Sequence, residues 1–303
     1  MDTSDAYAIE TRGLTKRFGQ RVAVNDLTLR VKRGEIFGFL GPNGAGKTTA
    51  VKMLLGLARP NSGDAAILGQ PLNSLKARHI TGYLPELFRY QEWLTAREVC
   101  RWHAALLRID AAKRTSHIDD ILQRVGLGER ADERVGTFSK GMQQRLGLGV
   151  ALLGEPQLIV LDEPTSALDP VGRADVRALL PQLKAKGATI FLNSHLLAEV
   201  EAVCDRVAVI DRGSLIATGS LDELLGHLAL RISFVELGES LRRNLSARGA
   251  AFDGGSTAIF GHIDESAVPA LITDLVQNGA AIKAVQPIRR TLEERFLELL
   301  KEE

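Results

Sequence analysis

Lys47, Thr48, Asp162, Glu163 and His195 are the residues of this sequence whose types and surroundings could do chemistry. The first two close the stretch Gly41-Pro42-Asn43-Gly44-Ala45-Gly46-Lys47-Thr48, which fits the pattern G-x-x-x-x-G-K-[ST]. In that pattern the glycines let the backbone curl so that successive N–H groups point inward, and a following helix adds positive potential at its N-terminus. Such a cradle suits phosphate. Lys47 would reach the β- and γ-phosphates of a bound nucleotide, and the Thr48 hydroxyl would ligate Mg²⁺. A glycine turn matching by accident is the alternative, and the flanking residues weigh against it. Ile36, Phe37, Phe39 and Leu40 read as a short buried strand before the loop, and Thr49-Ala50-Val51-Lys52-Met53-Leu54-Leu55 has helical character behind it. The stretch predicts a nucleoside triphosphate site.

Further along, Leu158-Ile159-Val160-Leu161 runs into the adjacent carboxylates Asp162 and Glu163. A buried strand ending in Asp after a phosphate loop is the Walker B arrangement, in which the Asp holds Mg²⁺ directly or through water. Glu163 adjoins it and could polarise a water for attack on the γ-phosphate. Ala188-Thr189-Ile190-Phe191-Leu192 is another buried strand, and Asn193-Ser194-His195 follows it. A lone histidine is usually structural, but this one stands at the strand end where open α/β sheets bind their ligands. Phe18 is read in a loop among charged neighbours, either as a core aromatic or as a ring that stacks on a purine. Ser139 is a natural N-cap for a helix that carries Lys140-Gly141-Met142-Gln143-Gln144-Arg145 in its first turns.

These residues need a scaffold that brings strand ends together. Residues 7–40 alternate as strands, and Ala65–Leu68 adds a short strand after the turn at Arg59–Gly63. Residues 95–154 lose β character. There Val99, Trp102, Leu106 and Leu107 are read on one helical face, and Ile118, Ile121, Leu122 and Val125 on another. The expectation is a helical subdomain at about 87–154 inserted within a sheet domain that spans 1–219. Short strands at Arg206–Ile210 and Ser214–Thr218 close that domain. Residues 220–303 read as a small α+β accessory domain, with strands near 230–235, 258–260 and 281–285 and helices near 268–276 and 292–300. It carries no chemical motif.

Bulk properties narrow the class. The chain has 303 residues and a formal net charge of +1, from 38 basic and 37 acidic side chains, which argues against a dedicated nucleic-acid binder. Cys100 and Cys204 have no metal-ligand spacing and read as small buried hydrophobes. The acidic opening MDTSDAYAIE is unlike a signal peptide, and no window resembles a membrane span of about 18 uninterrupted apolar residues. A cytoplasmic location is expected.

With the motifs in order, residues 7 to about 220 resemble the nucleotide-binding subunit of the ATP-binding cassette (ABC) transporters. The specific mark is Phe138-Ser139-Lys140-Gly141-Met142-Gln143-Gln144-Arg145, which resembles the family signature LSGGQxxR, with Lys140 and Met142 as departures. Tyr83-Leu84-Pro85-Glu86 resembles the Q-loop with Glu in place of Gln. Both departures resemble the ABC-2 or drug-resistance branch, whose members include many exporters and carry a C-terminal extension.

The resemblance implies an α/β fold: a P-loop NTPase core of ABC ATPase type with a helical subdomain, an antiparallel β part and a small C-terminal α+β domain. It implies ATP held by Phe18 as the adenine-stacking aromatic, by the loop 41–48 and by Thr49. Mg²⁺ would be held by Thr48, Asp162 and Glu86, with Glu163 as catalytic base and His195 as the switch residue at the γ-phosphate. Ser139 and Gly141 would cap ATP bound to a second copy of the chain, with Asp169 as the D-loop acid. ATP would then glue a head-to-tail dimer that drives a separate integral-membrane permease, and the chain would sit on the inner face of the membrane through that partner. A groove near Glu86–Trp93 is the expected socket. A cassette ATPase serving nucleic acid or the ribosome is the alternative reading. Such proteins usually have two P-loops in one chain, a long coiled coil or zinc-binding cysteines, and this sequence shows none of these.

Overall fold

Three short apolar runs, IFGFL, LIVLD and TIFLN, have every residue buried. Strands buried on both faces are what a parallel sheet covered by other layers requires. The computed structural model describes residues 6–226, 229–261, 263, 265–288 and 291–301, so Met1 to Asp5 of the acidic opening lie outside the described residues. The chain divides into two compact units, Met1–Gly219 and Ser220–Glu303.

The first unit begins β1 (Tyr7–Phe18), β2 (Arg21–Lys32), β3 (Ile36–Leu40), α1 (Lys47–Leu54), β4 (Ser62–Ile67), β5 (Gln70–Pro71), α2 (Leu75–His79) and β6 (Thr81–Leu84). Three helices follow: α3 (Ala96–Leu106), α4 (Ala111–Arg124) and α5 (Lys140–Leu152). The unit then returns to sheet with β7 (Leu158–Asp162), α6 (Pro170–Ala185), β8 (Thr189–Asn193), α7 (Leu197–Val203), β9 (Arg206–Asp211) and β10 (Ser214–Ser220).

The central sheet has the order β10-β9-β3-β8-β7-β6. The pairings β3–β8, β3–β9, β6–β7 and β7–β8 are all parallel. Register sets the chemistry, because Phe39 on β3 and Asp162 on β7 both lie opposite Asn193 on β8. The exits of the three buried strands therefore share one rim. An antiparallel sheet, β2-β1-β4-β5, packs Leu14, Val24 and Leu27 into one core with Phe37, Phe39, Val51 and Met53. Gly38 makes room within β3, since a Cβ there would come within 2.7 Å of Val200 on α7.

The helical region differs in one respect from the sequence expectation. On α3 the buried face is Ala96, Val99, Cys100 and Ala104, whereas Trp102 and Leu106 are exposed. Of the expected face, Val99 is buried as read, whereas apolar identity alone misplaced Trp102 and Leu106 on that helix. Its start is fixed by a reciprocal cap, in which the Glu98 amide donates to Thr95 Oγ1 at 3.1 Å and the Thr95 amide to Glu98 Oε2 at 2.8 Å. Ile118, Ile121 and Leu122 on α4 are buried.

The second unit contains α8 (Leu221–Leu225), β11 (Ala229–Phe234), α9 (Glu239–Ala247), β12 (Ala250–Phe252), β13 (Thr257–Phe260), α10 (Val268–Gln277), β14 (Ile282–Ile288) and α11 (Leu292–Leu299). Its antiparallel sheet, β12-β13-β11-β14, with α9 and α10 in the connections, is a β-α-β-β-α-β unit. Leu230, Ile232 and Phe234 alternate into a core shared with Leu245, Ala258, Phe260 and Leu275. Sequence reasoning overlooked α9 and β12. The first fully buries only Leu245 and the second is three residues long, so neither shows a period.

Candidate functional site

A cavity of about 550 Å³ opens at the shared strand rim of the first unit. Of the residues singled out from sequence, Phe18, Asn43, Gly44, Gly46, Lys47, Thr48, Thr49, Glu86, Asp162, Glu163 and His195 line it. Gly41, Pro42 and Ala45 build the loop from behind. The Gly41 and Pro42 carbonyls accept hydrogen bonds from Lys47 Nζ at 2.6 and 3.2 Å. The Ala45 amide donates to the Pro42 carbonyl at 3.2 Å, closing the turn.

Gly46 shows why the loop needs glycine. Its φ is 104°, and a Cβ there would lie 2.1 Å from the Ala23 carbonyl oxygen. It is also the N-cap of α1 and contributes no side-chain cap, which leaves the helix's first amides for a ligand. Burial lowers the pKa of Lys47, while Glu163, Asp162 and Glu86 oppose that shift. A partly dehydrated cation beside open helix amides is matched to an anionic ligand.

Phe18 lies at the end of β1, paired with Arg21, and not in a loop as expected. Its ring is 55% exposed, which excludes the core-aromatic alternative. Lys16 Nζ sits 5.0 Å from the ring centre. The β1–β2 hairpin also carries Arg21 and Ala23 to the cavity wall, and neither has a sequence signal, because only the hairpin's register places them there.

Across the cavity, Asp162 is 1% exposed, and burial raises its pKa. Its Oδ1 accepts a hydrogen bond from Asn193 Nδ2, and its Oδ2 has no partner. Among the described residues no three His, Cys, Asp or Glu side chains gather closely enough to hold a metal alone. Mg²⁺ does not need such a cage, since it keeps several waters and takes one or two carboxylates plus substrate phosphates. The orphaned Asp162 oxygen, with Thr48 and Glu86 on the same cavity, fits that cation.

Glu163 has φ of 54°, a left-handed conformation that costs a non-glycine residue about 1–3 kcal/mol. Its backbone is pinned on both sides. Its amide donates to the Asn193 carbonyl at 2.8 Å. Its carbonyl accepts from Gln144 Nε2 at 3.2 Å and from Ser166 Oγ at 3.1 Å. The side chain is buried, with Oε2 at 2.7 Å from Nδ1 of the half-exposed His195. Asn193 and Gln144 were not picked out from sequence. A polar residue closing an apolar strand, as Asn193 does in β8, is the one signal that could have revealed the first.

Ser139, Gly141 and Asp169 do not line the cavity. Ser139 caps α5 by accepting from the Met142 amide at 3.2 Å, and Asp169 caps α6 by accepting from the Gly172 amide at 2.8 Å. A Cβ on Gly141 would lie 3.5 Å from the Ala167 carbonyl, so the two helix starts adjoin.

A family model described as ABC transporter matches residues 24–166. Over 207 residues the chain is 47% identical to an uncharacterised ABC transporter ATP-binding protein of Nostoc sp., an alignment covering 68% of this chain and 62% of that protein. It thus spans less than two thirds of that relative's length. It is 42% identical over 219 residues to the bacitracin transport ATP-binding protein BcrA of Bacillus licheniformis, covering 71% of each. The chain belongs to the ABC transporter ATP-binding proteins. A solved structure of an ATP-binding subunit of an ABC transporter matches this ATP-binding protein with a TM-score of 0.67 and 29% identity, over 89% of this chain and 99% of the other. The fold of the ATP-binding protein is accordingly the P-loop core of ABC ATPase type.

Proposed function

We propose that this chain is the ATP-hydrolysing subunit of an exporter, pairing with a second copy of itself and driving a separate integral-membrane permease. The observation that carries the reading is Glu163, held by His195 and facing the same cavity as Lys47 and Thr48. Phe18 stacks on adenine, and the loop 41–48 with Thr49 holds the phosphates through backbone N–H groups and the Lys47 ammonium. Thr48 and Asp162, with Glu86, would hold Mg²⁺, which would supply positive charge against the phosphates.

Glu163 accepts a proton from the attacking water, whose oxygen forms the new bond to the γ-phosphorus while the bond to the β-phosphate oxygen breaks. ADP and inorganic phosphate leave. His195 orients the carboxylate and reaches the γ-phosphate. Ser139 and Gly141, at the uncovered start of α5, cap the ATP of the second copy, with Asp169 alongside.

Among the described residues no helix is long and apolar enough to cross a membrane. Leu87 and Trp93 are 87% and 71% exposed on the segment after Glu86, the kind of apolar surface that a partner covers. The permease docks there, which keeps the chain cytoplasmic on the inner face of the membrane. No nucleic acid takes part. Export is supported by the ABC-2 character of the motifs and by the 40% identity to the Nod factor export ATP-binding protein I of Rhizobium sp..

Phosphate release from ATP and Mg²⁺ by the purified chain tests the reading. Activity that falls about 10²–10⁴-fold in Glu163→Gln is expected, the usual cost of removing a general base. A wild-type chain that releases no phosphate, alone or with its permease, contradicts it.

A further inference from the structure

Asn193 closes β8 directly opposite Asp162 and is 1% exposed. Three of its polar atoms face three different tasks. Nδ2 donates to Asp162 Oδ1, and the backbone carbonyl accepts the Glu163 amide at 2.8 Å. Oδ1, although buried, has no partner. The orientation of the amide is dictated by chemistry, since only its NH₂ end can donate to a carboxylate.

Asp162 Oδ2 is the second buried acceptor without a donor, so two orphaned oxygens belong to one hydrogen-bonded pair of side chains on the cavity wall. Leaving a buried acceptor unmet is unfavourable, and charge makes it more so. A fold keeps two such atoms side by side when a ligand supplies the missing partners. Acceptors call for O–H donors or a cation, and a cation that retains its water offers both at once.

We infer that Asn193 is a positioning residue for the divalent cation: its Nδ2 fixes the Asp162 carboxylate with Oδ2 free, and its Oδ1 accepts a hydrogen bond from a water that the cation carries. The inference rests on the reading of this cavity as the Mg²⁺–ATP site. It adds a residue that touches neither the phosphates nor the metal and works through Asp162 and water. Outer partners of this kind typically hold about 10–100-fold in metal affinity.

The test measures binding of a fluorescent non-hydrolysable ATP analogue to the full-length chain, once with Mn²⁺ and once with EDTA. Wild type should bind the analogue more tightly with Mn²⁺. In Asn193→Leu that gain should shrink by about 10–100-fold while the affinity in EDTA stays at the wild-type value. Thermal melting shows whether the variant is folded, and Asn193→Ala, with the same polar atoms removed and no bulk added, gives the comparison should the leucine not fit. An unchanged Mn²⁺-dependent gain overturns the inference, and so does an equal loss with and without metal, which would mean a merely structural role. A wild-type chain that binds no analogue at all instead contradicts the reading of the cavity, which keeps the two failures apart.

Discussion

Gln144 Nε2 on α5 donates a hydrogen bond of 3.2 Å to the backbone carbonyl of Glu163, the residue that the cavity presents in a left-handed conformation. Through this bond the helix capped by Ser139 is tied to the residue proposed as general base of the same chain. Gln144 is buried, so the bond is shielded from water. Gln144→Leu should therefore lower kcat while leaving KM nearly unchanged. A single neutral hydrogen bond contributes about 0.5–1.5 kcal/mol, so a loss of up to about tenfold is expected. Steady-state ATPase kinetics on the folded variant provide the check, and unchanged kcat would show that the contact is incidental to catalysis.

Lys47 is a partly dehydrated cation whose Nζ donates to its own loop carbonyls. Nucleotide phosphates would give it better acceptors. Lys47→Ala should weaken ATP binding at least about tenfold, because each hydrogen bond to a charged group contributes about 1.5–3 kcal/mol. Calorimetry on the folded variant measures this, and wild-type affinity would refute the phosphate-loop assignment.

Much of the site was legible because its chemistry is local in sequence. The loop ending in Lys47 and Thr48 forms one turn, and Asp162 with Glu163 follows one apolar strand. Residues brought in by pairing were not legible. Arg21 reaches the cavity through the register of a hairpin, and Asn193 meets Asp162 through the register of parallel strands. Burial was misread where apolar residues occur on both sides of a helix, as with Trp102 and Leu106 on α3. The second unit was legible at β11, whose alternation is strict, and not at α9, which fully buries only Leu245.

The second unit has a hydrophobic core of its own, built from Leu230, Ile232, Phe234, Leu245 and Phe260 among others. The residues that line the nucleotide cavity belong to the first unit. A chain ending at Gly219 should therefore fold and bind ATP with wild-type affinity, while its self-association or its regulation changes. Equilibrium binding and light scattering on the truncated chain make the comparison. Loss of ATP binding by a folded truncation would show that the second unit completes the nucleotide site.

In the proposed mechanism ATP joins two copies of this chain across the Ser139 end of α5. Glu163→Gln keeps the shape of the side chain but removes the proton acceptor, so bound ATP should persist and hold the pair together. Light scattering on Glu163→Gln should give a monomer without nucleotide and a dimer with ATP. Adding Ser139→Arg places a bulky side chain where the second copy's phosphate would sit, without touching the chain's own cavity. The double variant should still bind ATP and stay monomeric. A double variant that dimerises as well as Glu163→Gln alone would overturn the proposed pairing.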